Sequence, residues 1–227
     1  MKSYSRLIFY FLIFAVMPGV FLRALIWTPA AEFLGESSRI LYFHVPVAWI
    51  SVISFVTAGY HSIMILISEK ERDEREYKAY NAAYIGIIFT ILTVVTGSIW
   101  AKISWGSYWN WDPRETSIVI LMLIYISYFS LYSALKDNVN RMGISSVYLI
   151  IAMITMPFFV FIIPRIYPSL HPDTIINADK KIHLEAAMKL TLFTSIGVFT
   201  IFYGYIYKLM NRISSLEFTQ QEKRNDN

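Results

Sequence analysis

The chain has four imidazoles, His44, His61, His171 and His183, and no cysteine. Neutral imidazole is a good ligand for iron, and its unperturbed pKa of about 6.5 leaves it mostly neutral at pH 7. His44 stands in Phe43-His44-Val45-Pro46, and His171 in Tyr167-Pro168-Ser169-Leu170-His171-Pro172; His183 follows in the same segment. Between these two segments runs WGSYWNWDPRET, Trp105 to Thr116. Its three indoles offer flat faces for stacking, and Gly106 permits a close backbone approach. The pattern predicts a planar metal macrocycle lying on Trp105, Trp109 and Trp111, with one imidazole from each flanking segment. Stacking contributes roughly 0.5–1.5 kcal/mol per aromatic pair, whereas micromolar binding needs about 8 kcal/mol. Axial ligation and burial must therefore supply most of the affinity. A zinc site built from Asp173, Asp179, His183 and Glu185 is the rival reading, but it leaves the indoles without a role. His61 sits deep in an apolar run and is expected to bond a neighbouring helix rather than a metal.

These residues have to be positioned by membrane helices. The 227 residues are 56% hydrophobic and only 16% charged, which is a membrane composition. About 20 apolar residues cross the hydrocarbon core. Six runs qualify or nearly do: 7–22, 40–68, 79–101, 116–135, 142–164 and 190–207. Arg23 ends the first, but an arginine near a helix end snorkels to water, so this helix is expected to continue towards Trp27. It reads as an uncleaved anchor rather than a signal peptide. Twelve of the twenty lysines and arginines fall on one side of this layout and eight on the other, which predicts cytoplasmic termini. The expected fold class is an all-α integral membrane protein with six transmembrane helices and a tryptophan-rich external loop between helices three and four. External loops are expected near 24–43, 101–115 and 165–189. The mixed-charge stretch Glu69 to Lys78 reads as a solvated cytoplasmic loop. Residues 1–213 form one transmembrane domain, and 214–227 a disordered tail.

On this topology all six tryptophans, Trp27, Trp49, Trp100, Trp105, Trp109 and Trp111, lie at or near the external face. A belt of interfacial aromatics would decorate both faces. Part of the loop also has a plain structural use. Asp112 suits the N-cap of helix four, Pro113 suits N1, and Glu115 falls at N3 as in a capping box. The net charge of +4 is scattered, so no nucleic-acid face is expected. Without cysteine there is no disulfide and no thioether-held haem. No G-x-x-x-x-G-K-[ST] run occurs, so any ATPase must be a partner chain.

WGSYWNWD matches W-G-x-x-W-x-W-D, and together with SSRILYFHVPVAW and YPSLHP it resembles the CcmC family, six-helix haem-handling proteins of cytochrome c maturation. The resemblance runs from about Trp27 to helix six. It implies that His44 and His171 are the metal ligands, axial to a non-covalent b-type haem. It also implies that Trp105, Gly106, Trp109, Trp111 and Asp112 cradle this haem. Arg39 and Arg114 match basic residues of the family, and either suits a propionate because guanidinium pairs bidentately with carboxylate. The implied setting is the periplasmic face of a bacterial inner membrane, among membrane lipids. The implied partners are a CcmE-like periplasmic haem chaperone, CcmB- and CcmA-like membrane and ATPase subunits of an ABC-type complex, and a CcmD-like single-span subunit. The implied role is transfer of haem rather than enzymatic turnover. WDPRET also resembles the CcsA family, which makes a cytochrome c synthase subunit one alternative. A haem exporter and a quinol-oxidising cytochrome b subunit are others.

Overall fold

The computed structural model describes residues 7, 10–11, 15–32, 34–172 and 182–225. Among the described residues the structure is helical, with a single β-bridge between Ala31 and Gly35. Helix α1 (Met17–Leu22) continues as a π-helical turn, Arg23–Trp27. A 3-10 turn, Glu36–Ile40, leads straight into α2 (Leu41–Ile67). Then come α3 (Arg72–Trp105), α4 (Pro113–Ala134) and α5 (Arg141–Pro157), and α5 is carried on by a π turn, Phe158–Ile162, to Ile166. Helix α6 runs Ala186–Asn225. Five of these segments, Glu36–Ile67, Arg72–Trp105, Pro113–Ala134, Arg141–Ile166 and Ala186–Gln221, are long and apolar enough to cross a membrane; Met17–Trp27 is apolar but shorter. Part of the first expected span lies outside the described residues. The helices carry apolar residues nearly all round, as membrane spans do.

Helix α2 packs against α3, α5 and α6 and forms the centre of the bundle. Its core contact is a stack of Phe55 on Tyr125 of α4, both fully buried. Polar ties gather at the two ends. At one end Arg23 Nε donates to Thr191 Oγ1 (3.1 Å), and the Thr28 and Thr191 hydroxyls share a bond of 2.9 Å. At the other, Glu76 accepts from Tyr132 (3.2 Å) and Arg141 Nε (3.1 Å), and Asn81 donates to Asn211 and Ser214 (both 3.0 Å).

Pro46 sits inside α2. It has no N–H, so the Tyr42 carbonyl loses its usual intrahelical donor. Ser195 Oγ of α6 donates to that carbonyl instead, at 2.6 Å. Membrane helices tolerate proline through such substitutions. Ser195→Ala is expected to cost about 1 kcal/mol, read as a lower thermal midpoint of the purified protein.

Two expectations are corrected. The stretch Glu69 to Lys78 is not a loop throughout, because α3 begins at Arg72. Arg75 pairs with Glu71 (3.7 Å) and Lys78 with Glu74, both at i,i+4 spacing that supports helix, while Glu76 is drawn inward by Arg141. The tail expected to be disordered from Ser214 continues as helix to Asn225. It contains no proline or glycine, so nothing in it breaks the helix that Tyr207 and Asn211 have docked.

Candidate functional site

The site lies at the end of the bundle where α2 begins, α3 ends, α4 begins and α5 ends. His44 is in the first turn of α2, as expected. Its Nδ1 lies 2.9 Å from Thr96 Oγ1 on α3. A Cβ built on Gly97 would stand 3.1 Å from His44 Cε1, so the missing side chain lets the imidazole lie against the helix.

Trp105 is not in the loop; it is the last residue of α3. Gly106 ends that helix at φ 82, with its N–H bonded to Lys102 O (3.1 Å) and its own carbonyl accepting from Lys102 Nζ (2.8 Å). No atom crowds a Cβ built there. Glycine suits the left-handed turn, and the space beside it is open. Helix α4 then starts as expected: Asp112 caps it, Pro113 follows, and Glu115 completes the capping box.

Asp112 does more than cap. Its side chain is completely buried and lies 2.9 Å from His171 Nδ1. It also accepts from the N–H groups of Arg114 (2.8 Å) and Leu170 (2.6 Å), and from Ser169 Oγ (2.8 Å). Burial alone would push the Asp112 carboxyl up. The bonds from His171, Arg114 and Leu170 outweigh burial and hold it well below the usual carboxylate range. One carboxylate thus ties the loop after α5 to the start of α4.

His171 packs against two touching indoles of α3. Its ring centroid is 4.8 Å from Trp105 and 5.6 Å from Trp100, and these two indoles meet edge to face at 4.8 Å. His44 and His171 come from distant parts of the chain, yet both rest on the last turns of α3, His44 against Gly97 and His171 against Trp100, which lie three residues and about one turn apart. Trp109 and Trp111 meet each other edge to face at 5.7 Å. Trp111 is 78% exposed and has a left-handed backbone, φ 58, a strained conformation for a bulky residue. Arg114 Nη1 reaches the Pro172 carbonyl at 3.5 Å.

Arg39 is placed differently from the histidines. Its Nη1 donates to the carbonyls of Ala24 (2.7 Å) and Thr28 (2.9 Å), and its Nε and Nη2 donate to Glu36 (2.5 and 3.3 Å). Every guanidinium nitrogen is thus engaged: Nη1 joins the end of α1 to the turn before α2, and Nε and Nη2 hold Glu36 within that turn. Of the rival zinc set, Asp173 and Asp179 lie outside the described residues. Among the described residues no group of three potential ligands gathers. Sequence reasoning assigned no part in the site to Thr96, Gly97, Trp100 and Ser169. The available signal was Thr96-Gly97-Ser98, three small polar or flexible residues interrupting an apolar run just before Trp100.

One imidazole packed on two indoles, with a second imidazole resting about one turn away along the same helix, can offer two nitrogen donors beside aromatic faces. Residues 2–226 match the CcmC family, described as Heme exporter protein C. The chain belongs to the CcmC family. Across the family it is similar to a ccmC-like mitochondrial protein of cytochrome c biosynthesis from Marchantia polymorpha, 31% identical over 97% of this chain and 92% of the relative. It is 27% identical to the heme exporter protein C of Rhodobacter capsulatus over 88% of this chain and 81% of the relative. The heme exporter protein C of Bradyrhizobium diazoefficiens is 28% identical over 83% of this chain and 73% of the relative. With CcmC relatives covered along most of their length, the His44 and His171 ends of the site both fall inside the shared region.

Proposed function

We propose that the chain holds haem at the outer end of its bundle and hands it on during cytochrome c maturation. The observation that carries this reading is that His44 and His171 both rest on the end of α3, against Gly97 and against Trp100 and Trp105, and that each is tied through Nδ1. Tying Nδ1 leaves Nε2 as the donor atom, which suits axial ligation of iron. The donor set and the aromatic surroundings fit a non-covalent b-type haem, and the absence of cysteine leaves no thioether route. The names of the relatives, heme exporter protein C and ccmC-like protein of cytochrome c biosynthesis, agree with this chemistry.

Haem is cargo in this reading, not a catalyst. Trp109 and the exposed Trp111 extend the aromatic surface outward, where a periplasmic, CcmE-like chaperone would receive the haem. Arg114, at the rim beside Pro172, is the cation placed to meet a propionate; Gly106 turns the chain into the loop and leaves open space beside its backbone for the haem edge. Partners of the ABC type, CcmA- and CcmB-like, would supply ATP hydrolysis, with a CcmD-like small subunit alongside. Both termini lie on the cytoplasmic side of a bacterial inner membrane.

The test is a His44→Ala/His171→Ala double variant purified from haem-replete cells. The expected result is loss of the Soret band and of chaperone loading; an unchanged spectrum sinks the reading. Gly97→Ala gives a subtler check. The added methyl displaces the His44 ring by a few tenths of an ångström, and ligand sites tolerate only about 0.5 Å. Haem retention is expected to fall roughly ten-fold. The thermal midpoint is expected to hold or rise, since alanine favours helix over glycine by about 1 kcal/mol.

A further inference from the structure

The two imidazoles are tied through the same ring nitrogen to acceptors of different chemistry. His171 Nδ1 meets Asp112 Oδ1 at 2.9 Å. An ionised carboxylate only accepts, so Nδ1 carries the hydrogen and Nε2 the lone pair. Asp112 is itself held by three further donors, from Arg114, Leu170 and Ser169, and cannot swing away. His44 Nδ1 meets Thr96 Oγ1, also at 2.9 Å. That hydroxyl directs its own hydrogen to Leu92 O at 2.8 Å, so it too accepts from Nδ1, but as a neutral group. A carboxylate behind a ligating imidazole raises its basicity, and charge-assisted hydrogen bonds are about twice as strong as neutral ones. The packing differs in the same sense. His171 packs against two indoles, whereas His44 lies against the bare face of Gly97.

We infer that the two axial ligands are inequivalent: Asp112 makes His171 the retained ligand, and His44, backed by the Thr96 hydroxyl, is the one that yields when haem leaves. This rests on the axial-pair reading above. In the exchange, His44 Nε2 takes back its lone pair as the bond to iron breaks. A lone pair from the incoming acceptor occupies the vacated position, and no electron or proton is transferred. Asp112 is thus a positioning residue, acting on haem through His171.

The experiment compares His44→Ala and His171→Ala, each as the full chain purified from haem-replete membranes, with haem per chain measured by pyridine haemochrome. His44→Ala is expected to keep haem at an occupancy roughly ten-fold above that of His171→Ala. Carbon monoxide added to the reduced wild type is expected to give the same spectrum as when added to His44→Ala. Asp112→Asn retains an N-cap residue. It is expected to raise the haem midpoint potential and to speed haem loss to apomyoglobin, whereas Thr96→Val moves the potential less. Equal losses from the two single variants, or the reverse order, overturn the inequivalence while leaving the axial pair standing. If neither single variant changes the spectrum, the axial pair fails and the inequivalence with it. Should Asp112→Asn fail to fold, the two histidine variants still decide the order.

Discussion

Asp112→Ala is expected to remove about 3–5 kcal/mol of stability and with it the capacity to hold haem. The helix cap alone accounts for roughly 0.5–2 kcal/mol. Bonds to a charged acceptor contribute about 1.5–3 kcal/mol where they are buried, and here the N–H of Leu170 and the Ser169 hydroxyl lose theirs. His171 loses its fixed tautomer at the same time. Thermal unfolding followed by circular dichroism measures the first effect, and the Soret absorbance the second. Asp112→Asn separates them. It is expected to recover part of the thermal midpoint, because asparagine caps as well as aspartate while its amide nitrogen cannot accept the bonds that the lost oxygen took, but little of the haem affinity. A midpoint unchanged in Asp112→Ala would mean that the carboxylate joins nothing of consequence.

Arg39→Ala is expected to loosen α1 from the bundle. Two carbonyls near the end of α1 and the Glu36 carboxylate converge on one guanidinium, and lysine cannot serve three acceptors in that fork geometry. The thermal midpoint should fall by several degrees, proteolysis should appear between α1 and α2, and Arg39→Lys should rescue little of either. The order of events distinguishes a strut from a propionate partner. For a strut, haem is lost only as the protein unfolds. For a propionate partner, haem retention falls while the midpoint stays near that of the wild type.

The spans were legible because a membrane helix announces itself through length and apolar content, and α2 and α4 begin and end within a few residues of their expected bounds. The capping box was legible because Asp112, Pro113 and Glu115 are neighbours in sequence. The ties that shape the site were not. His44 finds Thr96 fifty-two positions away and Asp112 finds His171 fifty-nine away, and no periodicity links such partners. The loop boundary was misjudged for a local reason. Lys102 and Ser104 look like the edge of the membrane, yet α3 continues until Gly106 can adopt the left-handed turn. The stretch before α3 was misjudged because charge was read as exposure, whereas Glu76 is turned inward by Arg141.

Helix α6 is 40 residues long. At 1.5 Å per residue it measures about 60 Å, against roughly 30 Å of hydrocarbon. Its first turns bond Arg23 and Thr28 through Thr191 and the Tyr42 carbonyl of α2 through Ser195, and further along Asn211 and Ser214 accept from Asn81 of α3. Held at both of these levels and unbroken by proline, a rod of this length reaches roughly 30 Å past whatever hydrocarbon it crosses, a helical post for another chain to rest on.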